Sequence, residues 1–210
     1  MLRRTFAFGA AGCACAGWAL PARATDPLPA AAERFEQLAE ALRQLAPAER
    51  CVAVNEQVNQ LLAYTHDFAS CGRRDCWQTP AETLAAGRGD CEDYAITKYF
   101  LLGACTDGGC PRLVYARWTP ADRPQDRPHE PVAHVVVIAD AQAGDPIVLD
   151  CVDPLLQGLS RRPDLRPVFS FDAGGLWRGA TGERVGDAPQ RLWPWRGVLE
   201  RWARQQRGLN

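Results

Sequence analysis

Between residues 27 and 62 the apolar positions recur at steps of three and four. After a Pro-punctuated leader, Asp26 to Pro29, the residues Phe35, Leu38, Ala39, Leu42 and Leu45 share one helical face. Pro47 suits the first turn of a second helix, which would bury Val54, Val58, Leu61 and Leu62. Residues 65–78 lose the period. Thr79-Pro80-Ala81-Glu82 then has capping-box spacing with proline at the first helical position, so a short helix opens there and stops at Gly87. Another follows Gly89-Asp90 and runs from Cys91 to about Leu102, with Asp90 as the natural N-cap and Asp93 in the first turn.

Beyond Gly103 the period changes. Leu113 to Trp118, Val132 to Ala139 and Ile147 to Leu149 read as strands, the last two joined by a turn at 143–146, and a further strand is expected near Val168 to Phe171. Residues 119–131, rich in Pro, Asp and Arg, form a polar loop. Gly197 to Arg207 has the pattern of a short basic amphipathic helix; Trp193, Trp195 and Trp202 with Arg191, Arg196, Arg201 and Arg204 could form a partner-docking surface, and the preferred reading is a helix packed by its tryptophans with its arginines in solvent. Helices in the first half and strands in the second predict an α+β fold with an antiparallel sheet.

The first 24 residues stand apart. Arg3 and Arg4 precede an apolar stretch from Phe6 to Leu20, and Ala22-Arg23-Ala24 is a small-x-small cleavage signal. This is a secretory signal peptide, too short in its apolar part for the ~20 residues of a spanning helix. Arg3-Arg4-Thr5-Phe6 also resembles a twin-arginine export signal. Residues 25–210 are then a single exported domain, with no stable membrane insertion once the signal is removed and the periplasm as the expected place. Its length and its 47% hydrophobic, 23% charged composition exclude a mainly disordered chain. A formal charge of −1, three units more acidic without Arg3, Arg4 and Arg23, excludes nucleic acid as a partner. Nine cysteines suit an oxidising compartment.

The chemistry is concentrated in Gly87-Arg88-Gly89-Asp90-Cys91-Glu92-Asp93-Tyr94. A cysteine in the first turn of a helix sits where the macrodipole favours a thiolate, a ready nucleophile. The acids Asp90, Glu92 and Asp93 oppose this unless an imidazolium or a metal cation offsets them. Three histidines are available as base. His66 and His129 fall in loops, whereas His134 opens the apolar strand Val135 to Ile138 and would be held by a rigid element. If the next strand pairs antiparallel, Asp150 at its end returns beside His134 and could orient it. Singly these residues have plainer readings: a half-buried or disulfide-bonded cysteine, a structural histidine, a turn-forming or helix-capping aspartate. Together they suggest a Cys-His-Asp triad.

The block from Trp77 to Leu84, the block Gly87-Arg88-Gly89-Asp90-Cys91-Glu92-Asp93-Tyr94-Ala95 continuing to Tyr99, His134 with its strand and Val148-Leu149-Asp150, and Arg162 to Phe171 leading to Trp177 resemble the bacterial transglutaminase-like cysteine proteinases, whose LapG-type members are periplasmic proteases. The resemblance spans about 52–178. It implies a papain-like/transglutaminase-like fold in which N-terminal helices, including the nucleophile helix, pack on an antiparallel sheet. It implies thiol proteolysis with Cys91 as nucleophile, His134 as base and Asp150 as its orienter, and calcium held beside the nucleophile by Asp90, Glu92 and Asp93. Hard oxygen ligands suit calcium, and three carboxylates would need further ligands from backbone, water or loops. The implied substrate is a large surface adhesin, cut near its N-terminus with release of biofilm. The implied partner is an inner-membrane receptor responding to cyclic di-GMP.

Two other functions use the same residues. A transglutaminase would pass the acyl group to an amine, and an inactive module would use the groove only for binding. Outside the signal peptide and Cys91, the residues Cys51, Cys71, Cys76, Cys105, Cys110 and Cys151 form an even set. In an exported chain this suggests up to three disulfides, with Cys71/Cys76 and Cys105/Cys110 as local pairs and a zinc site as the rival.

Overall fold

The structure, a computed structural model, describes residues 26–72, 75–105, 111–120, 130–140 and 144–208. Residues 1–24, read above as a signal peptide, and Cys110 and His129 lie outside the described residues.

Helix α1 spans Pro27–Arg43, earlier than its apolar period suggests. Proline is tolerated in a first turn, where its missing N–H has no helical partner, and Asp26 Oδ1 caps the Leu28 amide at 3.0 Å. The leader is therefore the start of the helix. Helix α2 covers Pro47–Leu61. A two-residue strand β1 (Ala63–Tyr64), a short helix α3 (Asp67–Cys71) in the segment without period, and helix α4 (Pro80–Ala86) follow. The predicted capping box is present: Thr79 Oγ1 accepts from the Glu82 amide at 3.2 Å and Glu82 Oε2 from the Thr79 amide at 2.8 Å. Gly87 ends α4 at φ 63°, the left-handed region that glycine enters freely. Strand β2 (Arg88–Gly89) pairs parallel with β1 and leads into α5, Cys91–Cys105.

The remaining strands form one antiparallel sheet. They are β3 (Arg112–Trp118), β4 (Val132–Ala139), β5 (Ile147–Leu149), β6 (Gln157–Gly158), β7 (Leu165–Phe171), β8 (Leu176–Arg178) and β9 (Arg184–Gly186), in the order β6-β5-β4-β3-β7-β8-β9. A 3-10 turn, Leu159–Arg161, separates β6 from β7. Helices α6 (Ala188–Arg191) and α7 (Trp193–Gln206) close the described chain. The α+β reading holds. Among the described residues no helix is long and apolar enough to cross a membrane.

Alternation along the strands divides the core. Leu113, Val135, Val137, Leu149 and Phe171 pack with Phe35, Leu42, Val54, Ile96 and Trp195 of the helical layer. Val114, Ala116, Val136, Ile138, Val148 and Leu165 form a smaller cluster. An extra residue in β7, Val168, separates the Tyr115–Phe169 and Ala116–Pro167 pairs. This bulge re-aims the start of β7, so Leu165 and Phe171 belong to different clusters.

Helix α7 starts before its predicted limit. It carries Trp195, fully buried, whose Nε1 donates to the Asp172 carbonyl at 2.8 Å. Arg201 Nε meets Glu82 Oε1 at 2.9 Å and Thr79 Oγ1 donates to Gln205 Oε1 at 2.7 Å, tying α7 to the cap of α4. Trp195→Ala is expected to cost about 3–5 kcal/mol, seen as a lower midpoint in denaturant unfolding.

The cysteine arithmetic needs correction. Cys71 and Cys76 form the expected disulfide. Cys51, Cys105 and Cys151 are free thiols. Cys105 is buried against α1, where its sulfur donates to the Ala39 carbonyl at 3.3 Å, so this thiol already has a partner inside the helical layer.

Candidate active site

Helix α5 begins in a crowded turn. Asp93, with no exposed surface, folds back so that Oδ1 accepts from the Gln78 amide and Oδ2 from Gln78 Nε2, each at 2.8 Å. A Cβ on Gly89 would run into this side chain, so glycine is required there. Asp90 precedes the helix as expected, yet its carboxyl does not cap it. Oδ1 is buried with no hydrogen-bond partner, and the carboxyl bonds to that of Glu92.

Cys91 is the first residue of α5 and is 8% exposed. Its sulfur donates to Glu92 Oε2 at 2.8 Å and accepts from the Val135 amide, one residue past His134. Burial pushes the thiol far above its ordinary range. The charge and hydrogen bond of Glu92 add to this and the Val135 amide opposes it. With Glu92 ionised and uncompensated, Cys91 is a thiol.

His134 and Asp150 come from adjacent strands. The β4–β5 register pairs Val137 with Leu149 and Ile138 with Val148, so Asp150 follows opposite Val136, the same-face neighbour of His134. His134 Nε2 lies 2.8 Å from Asp150 Oδ1. An ionised Asp150 accepts there, which assigns the proton to Nε2 and leaves Nδ1 as the basic nitrogen. Asp150 also accepts from the Val152 amide at 3.0 Å and from Arg162 Nη2 at 2.8 Å. Burial alone would raise its pKa; the hydrogen bond and charge of His134, the Val152 amide and Arg162 overcome this and hold the carboxyl well below the usual range.

Cys91 and His134 line one cavity of about 390 Å³ with Tyr64, His66, Trp118 and Val152. The structure thus gathers Cys91, His134 and Asp150 at one end of the sheet. His66 also reaches this cavity, set against Tyr64 with ring centroids 5.4 Å apart.

The acidic residues extend beyond the three adjoining Cys91. Carboxylate oxygens of Asp67, Asp90 and Asp93 lie within 4.8 Å of one another, as do those of Asp67, Asp75 and Glu92. Burial, then Glu92, Asp93 and Asp67, pushes Asp90 up to about 9. Asp93 is raised to about 7 by burial, with Gln78 opposing and Asp67 and Glu92 adding. A cluster of buried carboxyls that repel one another, with the buried Asp90 Oδ1 lacking a donor, has the chemistry of an oxygen-ligand cation site and fits calcium. Asp67 and Asp75 were not legible in the sequence. Asp67 reaches the cluster through the fold, its Oδ2 accepting from the Cys76 amide at 2.7 Å.

The family model for bacterial transglutaminase-like cysteine proteinases (BTLCP) matches residues 32–160. The chain belongs to this family. Its members are cysteine proteases, and so is this chain. LapG of Legionella pneumophila is similar in structure, with a TM-score of 0.64 and 31% identity over 80% of this chain and 85% of that one. The EGTA-treated form of LapG matches at a TM-score of 0.66 and 31% identity, covering 80% and 86%. The calcium-bound form matches at 0.64 and 30%, covering 80% and 87%. No curated protein sequence gives a significant match. The transglutaminase-like cysteine proteinase fold accounts for the helical layer bearing Cys91 and the antiparallel sheet bearing His134.

Proposed function

We propose that the chain is an exported, calcium-dependent cysteine endopeptidase that cuts the N-terminal region of a large surface adhesin. Cys91 is the nucleophile, His134 the base and Asp150 its orienter. The observation that carries this reading is the 2.8 Å His134–Asp150 hydrogen bond beside the cavity that Cys91 shares.

His134 Nδ1 takes the Cys91 proton, and the thiolate attacks the carbonyl carbon of the scissile bond. Asp150, kept ionised, stabilises the imidazolium and its orientation. The positive end of the α5 dipole favours the developing oxyanion. His134 then returns the proton to the leaving amine, which departs from a thioester on Cys91. In the second half, His134 removes a proton from water, the hydroxide attacks the thioester, and Cys91 is regenerated. Asp90, Glu92 and Asp93 would hold calcium with help from Asp67. When bound, calcium supplies positive charge that compensates the carboxylates around Cys91. Glu92 donates nothing to the thiol and accepts its proton in a hydrogen bond at 2.8 Å, so a cation held there would weaken its preference for the protonated thiol.

Residues 1–24 are the export signal, and residues 25–210 act in the periplasm as one domain. An inner-membrane receptor responding to cyclic di-GMP is the expected partner, from the family resemblance. The experiment mixes purified mature protein with the N-terminal segment of a giant adhesin from the same genome, in three arms. Cleavage is expected with calcium, at least about tenfold less with a chelator, and none with Cys91→Ala. Cleavage by Cys91→Ala, or cleavage untouched by chelation, would overturn the nucleophile or the metal assignment respectively. Calcium is also expected to raise the thermal midpoint. At a free concentration a hundredfold above Kd the gain is about 2.7 kcal/mol, and Asp90→Asn should reduce it.

A further inference from the structure

Several strands bring their ends to the Arg162 guanidinium. Trp118 ends β3, Asp150 follows β5 and Asp164 immediately precedes β7. Arg162, 2% exposed, donates from Nη2 to Asp150 Oδ2 and to Asp164 Oδ2, each at 2.8 Å, and from Nε to Asp164 Oδ1 at 3.0 Å. Asp164 Oδ2 also accepts from Trp118 Nε1 at 3.1 Å. The Trp118 ring lies against the His134 ring, centroids 5.4 Å apart and planes at 39°. The hydrogen bond from His134 to Asp150 closes the circuit. Contacts therefore run from His134 through Asp150, Arg162, Asp164 and Trp118 and back to His134.

A closed circuit does what a single hydrogen bond cannot. The bond to Asp150 sets the His134 tautomer but leaves the ring free to rotate about the bond axis. A flat side chain packed on the imidazole restricts that rotation, provided that it is itself fixed. Trp118 is fixed by its indole N–H on Asp164, and Asp164 by the planar fork of Arg162, which two hydrogen bonds hold in one orientation. The same guanidinium fixes Asp150. The plane of the base and the position of its orienter are thus referred to one buried group.

We propose that Arg162, Asp164 and Trp118 are positioning residues that hold the His134 plane so that Nδ1 faces Cys91. The inference rests on the proposed role of His134 as base. Arg162 and Asp164 lie beyond the matched segment 32–160.

The test uses the whole mature protein with saturating calcium, at one pH, and iodoacetamide as the probe of Cys91. The second readout is the NMR resonance of the His134 Nε2 proton. Trp118→Phe keeps an aromatic face and every ion pair and removes the indole N–H together with part of the ring surface facing His134. It is expected to slow Cys91 alkylation about tenfold and to move or broaden the His134 resonance, with the protein still folded. Asp164→Ala should do the same. Arg178→Ala, which breaks an exposed pair with Glu183 at 3.2 Å, should change neither readout. Wild-type alkylation rates with an unmoved resonance in both Trp118→Phe and Asp164→Ala overturn the inference. Trp118→Phe decides the matter should Asp164→Ala fail to fold. A wild-type protein whose Cys91 does not alkylate refutes instead the reading of the site beneath it.

Discussion

Cys91→Ala is expected to abolish cleavage, by about 10⁴-fold or more, and to leave the fold in place. The size of the loss follows from the role. Removing the sulfur removes the covalent route through the thioester, and only binding and electrostatic stabilisation remain. The fold is expected to survive because the change removes a single atom from Cys91, which belongs to the edge of the core and also lines the cavity. Its contacts are to the Glu92 carboxylate and the Val135 amide. The first loses a donor and the second an acceptor, each at a site that water in the cavity can serve. Circular dichroism and the thermal midpoint of the variant, beside its cleavage rate, check both halves of the expectation.

Asp150→Ala is the more damaging change to the molecule. It should cost about 3–5 kcal/mol of stability and lower the cleavage rate by several orders of magnitude. Arg162 loses a partner at 2.8 Å, the Val152 amide loses its acceptor, and His134 loses the group that fixes its tautomer. Asp150→Asn keeps the volume and separates the effects. Activity should fall because an amide cannot stabilise the imidazolium, while part of the stability returns. The same carboxyl sets an acid limit. Its folded pKa is depressed below the unfolded value of about 3.9, so its stabilisation is complete above that pH and is lost as pH falls towards the folded pKa. Asp164, lowered chiefly by its hydrogen bond from Arg162, acts in the same direction. Denaturant midpoints measured between neutral pH and pH 3 should therefore fall more steeply for the wild type than for Asp150→Asn.

Long periodic segments were legible. Helices α2, α4 and α5 and strands β3, β4 and β5 stand close to where the spacing of apolar residues puts them. Strands β8 and β9 are three residues each, too short to show alternation, and a glycine-rich turn precedes each. The start of α1 was hidden because prolines ordinarily mark a leader, whereas a first turn accepts them. The chemistry divides in the same way. Cys91 and its acidic neighbours form a local motif, and the pairing of β4 with β5 could be anticipated, so Asp150 beside His134 could be inferred. Asp67, Arg162, Asp164 and Trp118 have no local signal. Each meets the site through side-chain contacts across distant parts of the chain, which only the assembled sheet and helix layer create. The capping role expected of Asp90 failed for a related reason: an aspartate before a helix looks like a cap until three other carboxylates, Asp67, Glu92 and Asp93, are found around it.

Peptide cleavage is expected to pass through a thioester on Cys91. Acid-quenched mass spectrometry during cleavage of the adhesin segment tests it most directly. The expected result is an adduct with the mass of the N-terminal fragment on the peptide containing Cys91, removed by hydroxylamine and absent from Cys91→Ala. Fragment release with no adduct on Cys91, or an adduct carried instead by Cys51, Cys105 or Cys151, would contradict it.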